Sequence, residues 1–265
     1  MRIVTWNINS LRLRIPHLAR MADALAPDIV CLQETKVPDD AFPADRLAEI
    51  GFPHALYRGM KSYNGVAIVS KSPLREIRRR NWCGREDCRH IAAALPGGAE
   101  LHNFYVPAGG DIPDPDQNDK FAHKLQFVAE MTDWFATLKK GRRILVGDLN
   151  IAPLESDVWS HKQLLKVVSH TPVEVAALDR LMAGQGANPQ WIDAVREFIP
   201  PTEQLYSWWS YRNRTWPGSD RGRRLDHVWV TPPLKPRLAG ASVFSEARGW
   251  KQPSDHVPVA IDIDI

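Results

Sequence analysis

Apolar positions in this chain recur with two periods, one helical and one extended, and the two alternate from end to end. Ile15, Leu18, Ala22 and Leu25 step by three and four, which predicts a helix after the first strand. Phe121, Leu125, Val128, Phe135 and Leu138 predict a second helix directly before the run Ile144-Leu145-Val146. A third should begin with a capping box: Thr171 as N-cap, Pro172 at the first helical position and Glu174 reaching back. Val175, Leu178 and Leu181 would then form its buried face. Strands are predicted at Ile3-Val4, Ile29-Val30, Val66 to Ser70, Ile91 to Leu95, Leu101 to Val106, Ile144 to Val146 and Val228 to Val230. The final run sets Val257, Val259, Ile261, Ile263 and Ile265 against Asp262 and Asp264, the alternation of a half-buried strand. Tyr63-Asn64-Gly65 and Pro96-Gly97-Gly98 read as hairpin turns.

Hairpins mixed with strand–helix–strand units imply sheets containing both parallel and antiparallel pairs. Two such mixed β-sheets packed face to face, with helices outside, make a layered α/β sandwich. The length of 265 residues and an apolar content of 44 % support a full-sized core. No repeat, low-complexity tract or linker divides the chain, so residues 1–265 are expected to form a single catalytic domain. The segment Val106 to Asn118, rich in Pro, Gly and Asp, reads as a long functional loop.

Five polar clusters each adjoin a strand-like run. In order these are Thr5-Trp6-Asn7-Ile8-Asn9, Leu32-Gln33-Glu34-Thr35-Lys36, Gly147-Asp148-Leu149-Asn150, Leu225-Asp226-His227 and Ser254-Asp255-His256. Adjacent strand ends can bring distant residues together. Converging carboxylates destabilise the fold unless a proton or cation neutralises them. The pattern therefore points to a bound divalent metal and to an enzyme. Glu34 at a strand end could hold a hard cation such as Mg2+, and Asn7 could hold a carboxylate or a water without adding charge. Asp148 and Asn150, two apart, would share one face of an extended segment, an acid to take a proton beside an amide to orient water. A His256 held by a carboxylate has its cation stabilised and could bind charge on a phosphoryl oxygen.

The remaining composition adds less. Charge is 34 basic against 31 acidic residues, a formal net of +3, so gathering the acids leaves the rest of the surface more basic. Cys31 lies in an apolar run and is expected as a core thiol. Cys83 and Cys88, with His90 near, lack the four ligands and tighter pair spacing of structural zinc. No leader-like segment or membrane-length apolar run occurs, and a soluble, cytoplasmic protein is expected.

The segments WNINSLR, LQETK, YNGVAI, NFYVP, GDLNIAP, DRLM, YSWWSYR, RRLDHVWV and PSDHVPV, in this order, closely resemble the exonuclease III family of abasic-site endonucleases. That family lies within the endonuclease/exonuclease/phosphatase superfamily, and the resemblance covers nearly the whole chain. It implies a DNase-I-like fold. It implies Mg2+, with Mn2+ as substitute, held at Glu34 and Asn7 with Asp148, Asn150, Asp255 and His256 around it. It further implies Asp148 as the group activating water, Asn150 positioning that water, Tyr105 near the scissile phosphate or leaving group, and His256 on the phosphate, oriented by Asp226. The implied substrate is double-stranded DNA, cut 5′ to an abasic site or trimmed and cleaned at 3′ ends; a monomer is the default.

From Leu205 to Arg224, the cations Arg212, Arg214, Arg221, Arg223 and Arg224 alternate with Tyr206, Trp208, Trp209, Tyr211 and Trp216. Such a segment can pair with phosphates and stack on bases, or it can be a core of tryptophans with solvated arginines. The resemblance makes Trp208 a wall of the abasic pocket and Arg223 a departure, since an apolar or aromatic residue is common there; this leaves open how well the pocket grips an abasic sugar and hence the balance between endonuclease and 3′-end activities. Lys36, beside Glu34, is a candidate phosphate contact, whereas Arg78-Arg79-Arg80 reads as a solvated face. Two rivals remain open. A small-molecule or lipid phosphatase of the same superfamily would not need the Arg/Trp segment. A non-catalytic DNA-binding module would be expected to have lost one of Glu34, Asp148, Asn150 or His256.

Overall fold

The computed structural model describes residues 1–184, 190–212 and 216–265. In chain order the elements are β1 (Arg2–Asn7), α1 (Leu11–Leu25), β2 (Ile29–Gln33), α2 (Ala44–Glu49), β3 (His54–Arg58), β4 (Val66–Ser70) and β5 (Arg75–Arg79). There follow β6 (His90–Ala94), β7 (Glu100–Tyr105), α3 (Asp119–Thr137), β8 (Arg143–Asp148), α4 (His161–Leu164) and α5 (Pro172–Ala183). The chain ends with β9 (Ile192–Asp193), β10 (Trp208–Trp209), β11 (Gly222–Arg223), β12 (Asp226–Val230), β13 (Leu238–Val243) and β14 (Val259–Ile263).

Two six-stranded mixed sheets form, in the orders β13-β14-β1-β2-β4-β3 and β5-β6-β7-β8-β12-β9, and β10 pairs with β11 beside them. Period-two alternation sorts the side chains. Ile3, Ile29, Ile144, Val146, Val228 and Ile261 face inward between the sheets. Their neighbours Val4 and Val30 join Leu11, Ile15 and Leu18 of α1 in a second cluster, and Leu145 and Trp229 join Phe127 and Val128 of α3 in a third. Each sheet is thus covered on both faces, as a layered sandwich requires.

The helices follow their predicted signals. In α5 the Thr171 backbone N–H donates to Glu174 Oε2 at 3.1 Å, the reach-back of a capping box. Asn118 caps α3 by accepting from Lys120 N at 3.1 Å. The Asn64-Gly65 turn does lie between paired strands, but residues 59–65 make the whole connection rather than a tight two-residue turn. Gly65 is required there for contact: at φ 94, an added Cβ would stand 2.1 Å from Thr35 Oγ1.

Candidate active site

Strand register builds the site. β1 and β2 run parallel with Asn7 opposite Gln33, so Glu34 emerges beside Asn7. In the other sheet, parallel β7 and β8 set Tyr105 opposite Asp148, and antiparallel β12 enters with Asp226 on the other side of Asp148. The same rim of both sheets therefore carries all five groups. His256 arrives on the segment before β14, anchored where Trp6 Nε1 donates to its carbonyl at 3.0 Å and Ser254 Oγ donates to Asn7 O at 2.7 Å. Gly147 permits the close packing of β7 on β8: its φ is 139, and a Cβ there would meet Phe104 O at 1.9 Å.

Hydrogen bonds join these residues into one network. Asn7 Nδ2 donates to Glu34 Oε1 and to Asp148 Oδ2, each at 2.9 Å, bridging acids from the two sheets. Tyr105 OH donates to Glu34 Oε1 at 2.8 Å. Asp226 Oδ2 accepts from Ser207 Oγ at 2.6 Å and from His256 Nδ1 at 2.8 Å, while His256 Nε2 stands 3.7 Å from Asp148 Oδ2. Asp255 accepts from Asn9 Nδ2 at 2.9 Å and Trp208 Nε1 at 3.0 Å. Asn9 also accepts from Lys36 Nζ at 2.6 Å, and that ammonium pairs with Glu34 Oε2 at 2.8 Å.

Burial sets the protonation states. It pushes the Asp148 carboxyl up to about 7, against the pull of His256. Burial alone would lower His256, but Asp226 and Asp148 raise it to about 10, so the ring is a cation at neutral pH. Burial, with Glu34 and Asp148 nearby, raises the Tyr105 phenol well above its ordinary value and keeps it protonated. Glu34 and Asp255 are held below the ordinary carboxylate value despite burial, by Lys36 and Asn7 in one case and by His256 and Asn9 in the other.

The chemistry of this donor set fits a divalent cation. Glu34, Asp148, Asp226 and Asp255 have only Lys36 and His256 as ion-pairing partners among the described residues, which leaves the cluster two positive charges short once Asp148 is ionised. Ligand atoms of Asp148, Asp226 and His256 lie within 4.8 Å of one another. Oxygen donors from Glu34, Asn7 and Asp148 suit a hard ion. Backbone strain gathers here as well: Asn9, Glu34, Lys36 and Asn150 have φ values of 46, 51, 54 and 54, the left-handed region that non-glycine residues avoid.

Several expectations need correction. Asp148 and Asn150 do not share a pleat, because β8 ends at Asp148. They meet through a side-chain-closed turn in which Asn150 N donates to Asp148 Oδ1 at 2.9 Å and Asn150 Nδ2 donates to Oδ2 at 3.0 Å. Arg224 is no surface cation; it is 1 % exposed and paired with Asp157 and Asp193. The tryptophans divide: Trp209 is buried in the core, whereas Trp208 is half-buried beside Asp255. Arg223 lies over the Trp208 ring, 5.2 Å from its centroid, and Arg221 over Trp159. Arg212 is exposed, and Arg214 lies outside the described residues. The run Arg78-Arg79-Arg80 is exposed, as a solvated face should be, with Arg78 and Arg80 lying over Trp134 and Trp82 and Arg79 paired with Glu76. The three cysteines are free, and Cys83 and Cys88 belong to no metal-sized group among the described residues.

The structure also adds residues. Ser207 orients Asp226, as given above, and Gln33 Nε2 donates to Asn103 Oδ1 at 2.7 Å, joining the two sheets just below the site. Buried Lys124 pairs with Glu174 and donates to the Asn150 carbonyl at 2.7 Å, so the α3–α5 contact holds the Asn150 turn. The capping box signalled Glu174, but no local pattern marked Lys124 or Ser207.

A two-sheet sandwich whose acids converge at one rim with a cationic histidine defines a phosphoester-cleaving class. The chain belongs to the endonuclease/exonuclease/phosphatase family, whose model matches residues 4–256. It is 30 % identical to "Exodeoxyribonuclease III" of Haemophilus influenzae over 98 % of both chains. The fold superposes on an AP endonuclease from Archaeoglobus fulgidus with a TM-score of 0.90 at 30 % identity, covering all of both chains. It superposes equally completely on the 3′ phosphatase NExo from Neisseria, solved with product DNA hairpin, with a TM-score of 0.89 at 31 % identity. The protein is an enzyme of this exodeoxyribonuclease and AP-endonuclease class.

Proposed function

We propose that the protein is a Mg2+-dependent DNA repair nuclease that hydrolyses the phosphodiester 5′ to abasic sites and also trims and unblocks 3′ ends. The observation that carries this reading is the four-acid cluster, with Asp148 and Asp226 buried and Glu34 and Asp255 half-buried, two positive charges short when all four are ionised, at the rim where both sheets end. Glu34 and Asn7 would hold the metal, with Asp148, Asn150, Asp255 and His256 around it. When bound, the ion would neutralise charge on phosphoryl oxygens and ease deprotonation of water.

The chain's own groups supply the rest. Asp148, poised near neutral pH, takes the proton of the attacking water. Asn150, its amide fixed by the Val106 carbonyl at 2.9 Å and by Asp148, orients that water. His256 presents a positive N–H to the phosphate, held by Asp226. Tyr105, a phenol rather than a phenolate, donates to the phosphate or leaving oxygen. Lys36, paired with Glu34 at 2.8 Å, would be released to meet a phosphate oxygen if that carboxylate held a cation, and Trp208 and Arg212 would line the path of the DNA. The same reading takes residues 1–265 as one catalytic domain acting as a monomer in the cytoplasm. Among the described residues, no helix is long and apolar enough to cross a membrane.

A second reading, a 3′-exonuclease and 3′-phosphatase with weak action on abasic sites, is favoured by one feature: Arg223 covers the Trp208 face that a base-less sugar would occupy. The deciding assay uses a 5′-labelled duplex with one abasic analogue and a second duplex with a recessed 3′ end, each with Mg2+ or EDTA. Metal-dependent incision 5′ to the lesion supports the first reading, and 3′ trimming without incision supports the second. Cleavage of neither, with hydrolysis of a small phosphoester instead, would overturn both.

A further inference from the structure

Among the described residues, Arg223 is a cation without a counter-ion. Its Nη1 donates to the Val168 carbonyl at 2.9 Å and to Ser169 Oγ at 2.8 Å, both neutral, while its Nε is buried with no partner. The one acid acting on it, Glu174, already pairs with Lys124. Guanidinium stays charged in proteins, so burial without a carboxylate is costly unless something else brings negative charge. Its position says what that is. Arg223 pairs with Trp208 across β10 and β11, and Trp208 in turn bridges the backbone of His256 and bonds Asp255. The unpaired cation is therefore one strand beyond Trp208 from His256, on the Trp208 side of the site.

We propose that Arg223 binds the extra ionised oxygen of a 3′-terminal phosphomonoester and so selects 3′-phosphate ends over base-less sugars. The proposal rests on the nuclease reading above and goes beyond it by assigning the substrate selection to one side chain. In an internal diester that oxygen carries the next sugar and no charge. In a terminal monoester it is ionised near neutral pH and matches a guanidinium fork. An uncharged sugar, by contrast, would have to displace a cation stacked on Trp208 and leave it unpaired. In the reaction, water adds to phosphorus and the P–O3′ bond breaks. Inorganic phosphate and a 3′-hydroxyl result: one water proton stays on the phosphate, and the other, taken by Asp148, balances the proton that the 3′ oxygen gains.

The test compares kcat/KM for wild type, Arg223→Met and Arg223→Lys on three duplexes: a recessed 3′-phosphate, a recessed 3′-hydroxyl and an internal abasic analogue. Arg223→Met should lower 3′-phosphate removal about 10- to 100-fold, the worth of a charge-assisted hydrogen bond. The ratio of 3′-phosphate to abasic turnover should fall at least about 10-fold, chiefly through KM, and Arg223→Lys should restore part of it. Thermal melting of both variants separates this from misfolding. Equal losses on all three substrates would overturn the proposal by making Arg223 merely structural. Wild type that cuts abasic or 3′-hydroxyl DNA but spares the 3′-phosphate would overturn it while leaving the nuclease reading intact. No metal-dependent cleavage of any duplex would overturn both.

Discussion

Two largely buried acid clusters lie beside β12 and differ in their charge balance. In one, Asp157 and Asp193 face Arg196 and Arg224: Arg196 Nη2 donates to Asp157 Oδ1 at 2.6 Å, Arg224 Nη1 lies 3.5 Å from the same oxygen, and Arg224 Nη2 reaches Asp193. Two acids meet two guanidiniums, and the spare donors of Arg196 go to the Pro200 and Glu203 carbonyls. In the other, four acids share Lys36 and His256. The first cluster is balanced in charge, although Arg196 Nε and Arg224 Nη1 lack hydrogen-bond partners, and it holds the fold. The unbalanced one needs a ligand, and its deficit identifies the kind.

Substitutions should separate the two. Asp148→Asn removes the proton acceptor, so kcat for DNA cleavage should fall about 10²- to 10⁴-fold while the melting temperature holds or rises. Single-turnover cleavage with a melting curve reads both. Arg224→Met leaves two buried carboxylates with one guanidinium and should cost about 3–5 kcal/mol of stability in urea unfolding, with kcat of the folded fraction little changed. The reverse pattern in either variant would merge the clusters.

Their pH dependence should have opposite signs in metal-free protein. Burial raises Asp148 from 3.8 to about 7, so the folded state binds a proton that the unfolded state has lost, and stability falls as pH climbs through that window. Burial would raise Asp193 too, but Arg224 more than offsets it and the value drops below 3.8. Its contribution is present above that pH and lost as the solution becomes more acid. Stability against pH for wild type and Asp148→Asn should differ in slope between pH 3.8 and about 7. The smallest effect belongs to exposed Arg212. Arg212→Ala should weaken binding of all duplexes alike and reduce the salt slope by about 1.

Much of this was legible in the chain because it depends on local pattern. Helical spacing located α1 and α3, the Thr171 box located α5, and strand alternation gave the two-faced sheets. The site residues were legible because each follows or precedes an apolar run, so strand ends carry them. What stayed hidden depends on direction and distance. Arg223 and Arg224 look alike in sequence, yet neighbours on an extended backbone face opposite ways, one to the site and one into the Asp157 pair. The Asn150 turn depends on a left-handed residue that no spacing rule requires. Ser207, Lys124 and Asn103 act through partners far along the chain, beyond any local signal.

Calorimetric titration of metal-free protein with Mg2+, in two buffers of different ionisation heat, tests the central claim most directly. The account predicts binding that releases protons as Asp148 ionises and that is lost in Glu34→Gln. Wild type that takes up no Mg2+, or Glu34→Gln that binds it equally well, would contradict a cluster built to receive a cation.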